Sequence, residues 1–407
     1  MQFFLVGGAL RDRLLHLNIK DRDHVVINAT PKMLLDLGYK QVGKDFPVFL
    51  HPKTGEEYAL ARTERKNGQG YHGFECYAGQ DVSLVEDLQR RDLTINAMAC
   101  STDGYIIDPY KGQEDLKNKI LRHVSPAFSE DPLRVLRVAR FAARFYHLGF
   151  KIAPETLLLM RKLSISGELT HLRAERIWQE TDKALASDDP QIYFSILREC
   201  GALNILFPEI ARLFGIPGPK RWHPEIDTGI HTLMVLKQAT KLSNDNAFRF
   251  ACLVHDLGKA LTLQELWPSH KGHGELGLKI INSLCTRLKI PNEYRELALL
   301  VSQHHTFIHK APQLEAHNLL NIMDKCDAWR KPSRFLQMLE CCIADAKGRL
   351  GFEQTEYPSA DHVWQAFLVA QKVNVQDILA QGFKGKEIKE ALLIARIKAV
   401  EKHRNKH

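Results

Sequence analysis

The chain is 407 residues long, 44% hydrophobic and 26% charged, with a formal net charge of +8, and this length predicts two to four domains with a sizeable core. No apolar run approaches the roughly 18 residues of a membrane span, which excludes a helical membrane protein and leaves a soluble globular one. The eight cysteines include no C-x-x-C pair and one adjacent couple, Cys341-Cys342, against a disulfide framework or structural zinc site and in keeping with a reducing cytoplasm; the positive balance points to a polyanionic partner.

The opening Met1-Gln2-Phe3-Phe4-Leu5-Val6 lacks a basic leader and a cleavage site, and reads as a strand and not a signal peptide. Gly7-Gly8 lets the backbone approach a phosphate before a helix starts near Ala9 and presents its N-terminal amides, with Arg11 placed to hold a triphosphate. A β-branched run around Asp21-Arg22-Asp23-His24-Val25-Val26-Ile27 reads as a second strand. Residues i and i+2 of a strand share a face, so Asp21 and Asp23 can offer hard oxygen ligands to one magnesium site. Further strands are predicted over Glu56 to Ala61, where Glu57 is a candidate third carboxylate, and over Tyr105 to Ile107. The glycine- and charge-rich Arg62 to Gln80 segment predicts a mobile functional loop. Residues 1 to about 125 thus form an α/β or α+β head.

Arg90-Arg91-Asp92-Leu93-Thr94-Ile95-Asn96 gathers cations, a carboxylate and an amide suited to a ribose and phosphates. In Glu130-Asp131-Pro132-Leu133-Arg134, Asp131 is the expected N-cap and Pro132 the first helical residue. Arg137 and Arg140 follow at three-residue steps, each lagging a full turn by about 60°, so the row winds round the helix. Asp131 and Arg134 can then meet a base edge, and Arg137 and Arg140 a ribose or triphosphate. From Asp131 onward the apolar periodicity is helical, and the Gly-Ile-Pro-Gly-Pro-Lys run at 215–220 reads as a linker. Beyond it, His231 and the adjacent His255-Asp256 lie in apolar helical sequence, where such groups are costly without partners. Lys384 to His407 is basic, either a solvated helix or a nucleic-acid contact. Taken singly each pattern has a bland counterpart: a solvated Asp21-Arg22-Asp23 turn, a helix with surface ion pairs, a chance His-Asp dipeptide among nineteen histidines. The ordered set of strand, double glycine, arginine and same-face carboxylates favours a nucleotidyl-transfer site.

In Gly7-Gly8-x-x-Arg11-Asp12, Asp21-x-Asp23, Arg90-Arg91-Asp92 and Glu130-Asp131-x-x-Arg134 the chain resembles the class II, bacterial-type tRNA nucleotidyltransferases, the CCA-adding enzymes. In His231 and His255-Asp256 it resembles the HD family of metal-dependent phosphohydrolases, a domain carried by one subgroup of CCA enzymes. The resemblance implies an α+β fold: a nucleotidyltransferase head with a mixed sheet over 1–125, a helical neck and body with the RNA-binding surface over 126–220, an HD domain over 221–330 and a helical C-terminal region over 331–407. It implies that Asp21 and Asp23 bind catalytic Mg²⁺ and that Asp131 and Arg134 pair with CTP and then ATP. Gly8, Arg11, Arg91, Arg137 and Arg140 would hold the nucleotide. The HD ligands would be His231, His255, Asp256 and a later aspartate, Asp327 or Asp324, with His304 or His305, around Ni²⁺ or Mg²⁺. There His255 and Asp256 would carry 2′,3′-cyclic phosphodiesterase, 2′-nucleotidase and phosphatase chemistry. The partners implied are the tRNA acceptor end, CTP and ATP, with no membrane, in a cytoplasmic monomer or weak homo-oligomer. Rival readings are a bacterial poly(A) polymerase and an HD hydrolase with an RNA-binding head.

Overall fold

The computed structural model describes residues 1–19, 21–43, 48–66, 74–220 and 225–404, and the chain divides into two compact units, Met1–Leu206 and Phe207–His407.

The first unit is built on a mixed sheet. β1 (Gln2–Val6), β2 (Asp23–Ile27), β3 (Lys40–Val42), β4 (Val48–Leu50), β5 (Glu57–Leu60), β8 (Ala99–Ser101) and β9 (Ile106–Ile107) lie in the order β3-β4-β5-β2-β1-β8-β9. Neighbours are antiparallel except β2 and β5, which run parallel with Asp23 beside Glu57. Both faces are covered, which explains why β1 and β2 read as continuous apolar runs instead of alternating ones. Phe4, Val6 and Val25 pack with Leu84 and Leu88 on one face, and Val26 and Leu60 with Leu34 and Phe49 on the other. One residue of register separates Val25 from Val26, so a slip by one would exchange the two cores.

The Arg62 to Gln80 segment, expected as an irregular loop, instead carries a two-stranded antiparallel ribbon, β6 (Thr63–Lys66) with β7 (Phe74–Tyr77). Its polar sequence hid the strands because no apolar alternation marks them. The middle of the expected loop, 67–73, lies outside the described residues. After the sheet, the Leu133–Phe145 helix packs against Ala174–Leu185 and Pro190–Glu199.

The second unit is helical. Thr228–Leu242, Asn246–Val254, His273–Arg287, Asn292–Ile308 and Pro332–Lys347 pack on one another through buried side chains such as Leu236, Phe248, Ile281, Val301 and Leu339. The glycine- and proline-rich run read as a linker is folded into this unit: Thr228 N donates to Ile216 O at 2.9 Å and Pro217 bridges to Asp227. The basic tail forms the Lys386–Arg404 helix, with Arg396 over the Trp329 ring at 3.8 Å and Arg404 donating to the carbonyls of Leu314 and Pro312. Two of its cations are therefore engaged within the unit.

Candidate functional site

In the first unit, strand β1 ends at Val6 and Gly7 turns the chain at φ +67 into the Gly8–Leu14 helix. The left-handed φ favours glycine there, and a Cβ would stand 3.0 Å from Arg91 Nη1, so that guanidinium would have to shift. Asp23 opens β2, and Asp21 lies just outside the strand instead of within it. Both nonetheless line one cleft of about 540 Å³ with Gly8, Arg11, Arg140, Arg144 and Lys183. A second cleft of about 500 Å³ shares Gly8, Arg11, Asp23, Arg140 and Arg144 with the first and is lined by nine arginines in all. Asp23 is exposed by area but stands between cleft walls. That partial desolvation raises its carboxyl, Arg91 pulls it back, and the Asp21 charge raises it again, with a net upward shift. Paired hard oxygens, partly desolvated and mutually repelling, fit a divalent cation.

Most of the contacts that hold the cleft arginines come from other elements. Arg11 is 2% exposed. It donates to Asn96 Oδ1 and Asp12 Oδ1, lies over the Phe141 and Phe145 rings at 5.0 Å, and is pulled down to about 10 by burial. Asp12 Oδ2 accepts from Arg144 at 2.8 Å. Arg137 donates to Asp92 Oδ2 through Nε at 2.8 Å and lies at 2.7 Å through Nη2. Burial would raise the Asp92 carboxyl, but Arg137, Asn96 and Arg134 hold it far below the usual carboxylate range. Arg140 donates to Glu180 at 2.5 Å, and Arg91 to Asp87 at 3.1 Å.

Asp131 and Pro132, expected as N-cap and first helical residue, stand one position earlier than that: the helix starts at Leu133 with Pro132 as its N-cap, and Asp131 before it has extended backbone, its Oδ1 accepting from Leu133 N–H at 3.0 Å. Its Oδ2 accepts from Arg176 at 3.0 Å. Arg134 is buried and donates to the carbonyls of Ala127 and Arg90. Gly8, Arg11, Asp23, Arg91, Asp131, Arg134, Arg137 and Arg140 therefore converge on one cleft. Sequence reasoning missed Arg176 and Glu180, whose four-residue spacing on one helix was the available signal, and Asp87 and Arg144, which had none.

In the second unit, His231, His255 and Asp256 meet, and Asp345 joins them. His231 Nε2 is 3.1 Å from Asp345 Oδ1, and His255 Nε2 is 3.3 Å from Asp256 Oδ2. His273 Nε2 and His305 Nε2 lie 3.1 and 3.6 Å from Asp256 Oδ1. Lys259 Nζ is 2.6 Å from Asp256 Oδ2, and His309 Nε2 is 2.6 Å from Asp345 Oδ2. The Nδ1 atoms of His231, His255, His273 and His305 each face a backbone carbonyl, of Gly348, Cys252, His270 and both Val301 and Ser302. This fixes the rings with Nε2 turned inward, as in metal-ligating histidines. His255 Nε2 and Asp256 Oδ1 are buried and make no hydrogen bond, the close ion-pair distances notwithstanding, because the geometry is poor. Such orphaned atoms, with imidazole and carboxylate donors within 4.8 Å of one another, fit a divalent metal. Burial pushes His305 down to about 4, whereas for His255 the charges of Asp256 and Asp345 overcome burial and raise it to about 9.

The expected fourth ligand is corrected here. Asp327 follows the Ala316–Lys325 helix, and its two oxygens are taken by Arg330 at 2.7 and 2.8 Å on the surface, away from the histidines. Asp324 accepts from Trp329 Nε1, and His304 is buried apart from the cluster, so of these alternatives His305 alone is brought in. Asp345 stands in the sequence as an acid in the apolar run Cys341-Cys342-Ile343-Ala344-Asp345, further along the chain than the two aspartates expected, Asp324 and Asp327.

Three family models match the chain: the Poly A polymerase head domain over residues 3–122, a probable RNA and SrmB-binding site of polymerase A over 149–214, and the HD domain over 228–329. Asp345 falls outside the last of these. A CCA-adding enzyme in its apo form II superposes with a TM-score of 0.67 at 19% identity over 98% of this chain and 88% of that one. The Thermotoga maritima CCA-adding enzyme complexed with tRNA gives 0.65 at 18% identity, covering 98% and 87%. These likenesses establish the fold, a mixed-sheet head followed by helices. The Multifunctional CCA protein of Aliivibrio salmonicida (strain LFI1238) is 60% identical over 400 residues, 98% of each chain. That of Psychromonas ingrahamii (strain DSM 17664 / CCUG 51855 / 37) is 70% identical over 407 residues, the whole of both. Agreement of that depth across both units, together with an arginine-lined cleft in one and a histidine-aspartate centre in the other, means that the chain belongs to the multifunctional CCA protein family.

Proposed function

We propose that this protein adds or repairs the 3′-terminal CCA of tRNA from CTP and ATP without a nucleic-acid template, and that its second unit is a metal-dependent phosphohydrolase. The observation that carries the first part is the arginine-lined cleft sharing Asp23 with the cleft lined by Asp21. Asp21 and Asp23 would hold Mg²⁺, which would supply charge stabilisation at the reacting phosphate. The protein's own groups position the substrates. The Gly7-Gly8 turn admits the phosphates closely, and Arg11, Arg91, Arg137 and Arg140 give the triphosphate and ribose a fixed cationic wall. Asp131 accepts from the exocyclic amino group shared by cytosine and adenine, and Arg134 donates to a ring acceptor.

In the second unit His231, His255, Asp256 and Asp345 would hold a divalent ion, Ni²⁺ or Mg²⁺, which would supply activation of water for phosphoester hydrolysis, and His273 and His305 line the same centre. The substrates are 2′,3′-cyclic phosphates, 2′-nucleotides and phosphomonoesters. The chain is assigned as head 1–125, neck and body 126–220, HD domain 221–330 and C-terminal region 331–407, acting in the cytoplasm as a monomer or weak homo-oligomer. A run-on assay with tRNA lacking its last three nucleotides tests the main reading. CTP then ATP incorporation, ending after three residues, is expected. A long A tract would instead favour the second reading, a poly(A) polymerase, which the match to that family's head domain keeps in view.

A further inference from the structure

Beside the histidine-aspartate centre lies a cleft of about 130 Å³, bounded by Asp256, Lys259, His305, His309, Asp345 and Arg349. Two of its basic side chains are already committed, Lys259 to Asp256 and His309 to Asp345, each at 2.6 Å. Arg349 is different. Its side chain is 16% exposed, its one ion pair among the described residues is a loose 3.7 Å approach to Asp345 Oδ1, and its Nε is buried without a hydrogen bond. A largely buried guanidinium with an unused donor is costly unless an anion meets it.

The backbone on either side holds Arg349 at this wall. Gly348, just past the Pro332–Lys347 helix, presses on Val235 so closely that a Cβ would stand 2.6 Å from Val235 Cα. Its carbonyl is the partner of His231 Nδ1 at 3.2 Å. Leu350 N donates to Glu225 Oε2 at 3.2 Å, and Glu225 Oε1 lies 3.1 Å from His231 Nδ1. The turn that orients a metal-site histidine thus also fixes the arginine.

We infer that Arg349 is the phosphate-binding residue of the second unit's hydrolase, and that its cleft takes the terminal phosphoryl group of the substrate while the nucleoside stays outside. A bidentate guanidinium matches phosphate oxygens, and about 130 Å³ is well under the roughly 300 Å³ from which whole-ligand pockets start. The inference rests on the hydrolase reading of this centre.

The test uses the full chain loaded with Ni²⁺ or Mg²⁺, with Arg349→Met and Arg349→Lys. Arg349→Met should raise KM for a nucleoside 2′-monophosphate and the inhibition constant of inorganic phosphate by about tenfold or more, the loss of a charge-assisted bond. Arg349→Lys should restore part of both. The metal concentration for half-maximal activity should not move. Unchanged KM and phosphate inhibition in a folded Arg349→Met protein overturn the proposal, as does an equal shift in metal dependence, which would make Arg349 only a tether for Asp345. Calorimetric binding of inorganic phosphate reads the site without turnover. If the wild type hydrolyses no phosphoester but binds phosphate through Arg349, the hydrolase reading falls and the anion site stands; if neither protein binds phosphate, the site falls as well.

Discussion

The two sites solve the problem of gathering charge in opposite ways. In the arginine-lined cleft, cations outnumber acids, and the key guanidiniums are matched to partners drawn from other elements: Arg137 to Asp92, Arg140 to Glu180, Arg11 to Asn96, Arg144 to Asp12, Arg134 to the carbonyls of Ala127 and Arg90. The donors are fixed in advance, and the exposed carboxylates Asp21 and Asp23 are few. In the second unit the acids and imidazoles face one another in a small buried volume, and two atoms at its centre, His255 Nε2 and Asp256 Oδ1, have no hydrogen bond. One wall is preorganised by ion pairs, whereas the other centre is completed by a cation. Removal of metal should therefore cost the first unit activity and the second unit both activity and local order.

The largest effect should come from the point where the first cleft also needs metal. Asp21→Ala or Asp23→Ala should lower CTP incorporation by about three orders of magnitude or more, since several kcal/mol of charge stabilisation are lost, while phosphoester hydrolysis in the same preparation persists. Near wild-type incorporation in either variant would remove the metal assignment.

The preorganised wall is tested by acid. Asp92 is 5% exposed and its carboxyl is held below its ordinary value, so its contribution is present above the unfolded pKa of about 4 and lost as pH falls through the depressed folded value. Asp92→Asn should cost about 2–3 kcal/mol at pH 7, less than a fully buried pair because the Arg137 side chain is 37% exposed. The gap to wild type in denaturant midpoints should narrow as pH drops from about 5 towards 2; a gap that stays constant would mean that the charge of Asp92 is not what stabilises this wall.

The second centre is tested at Asp345, the acid that stands with its histidines where Asp327 was expected. Asp345→Asn should reduce hydrolysis by about a hundredfold, at the upper end of what a misplaced metal ligand costs, whereas Asp327→Asn, which breaks a surface pair, should change it less than about twofold. Reversal of that order would return Asp327 to the site.

The same contrast explains what was legible in the chain. Local patterns gave the strand-turn-helix at Phe3 to Arg11 and the arginines of the Leu133–Phe145 helix, because each motif is contiguous and its spacing maps onto local structure; the carboxylates at 21 and 23 line one cleft although only Asp23 lies in the strand. The pairings that hold those arginines, Arg140 with Glu180 and Arg144 with Asp12, depend on long-range packing: Glu180 carries only its four-residue spacing from Arg176, and nothing in the motif that contains Asp12 points to Arg144. The metal centre was half legible for the same reason. His255-Asp256 is a dipeptide and His305 was one of two adjacent alternatives, but His273 and Asp345 come from two other helices, and no spacing along the chain ties either to the His-Asp pair, because helix packing does not respect distance in sequence. The ribbon over 63–77 was missed because its strands are polar and carry no apolar period.

The smallest effect in rate, and the sharpest test of preorganisation, concerns base choice. Asp131 is held at both oxygens, by Leu133 N–H and Arg176, so its remaining lone pairs point in a fixed direction. Cytosine and adenine offer an amino group there, and uracil and guanine offer a carbonyl at the corresponding edge. If Asp131 reads that difference, Asp131→Asn, which supplies a donor as well as an acceptor, should lower the preference for CTP over UTP by about five- to a hundredfold, the 1–3 kcal/mol of one base contact. Arg176→Met should lower it less, because it frees the carboxylate to turn without removing it. Single-turnover incorporation with each nucleotide separates discrimination from rate. A uniform slowing of CTP and UTP alike would make Asp131 a helix cap and nothing more, and selection would then have to reside elsewhere on the wall that Arg134 and Arg137 share.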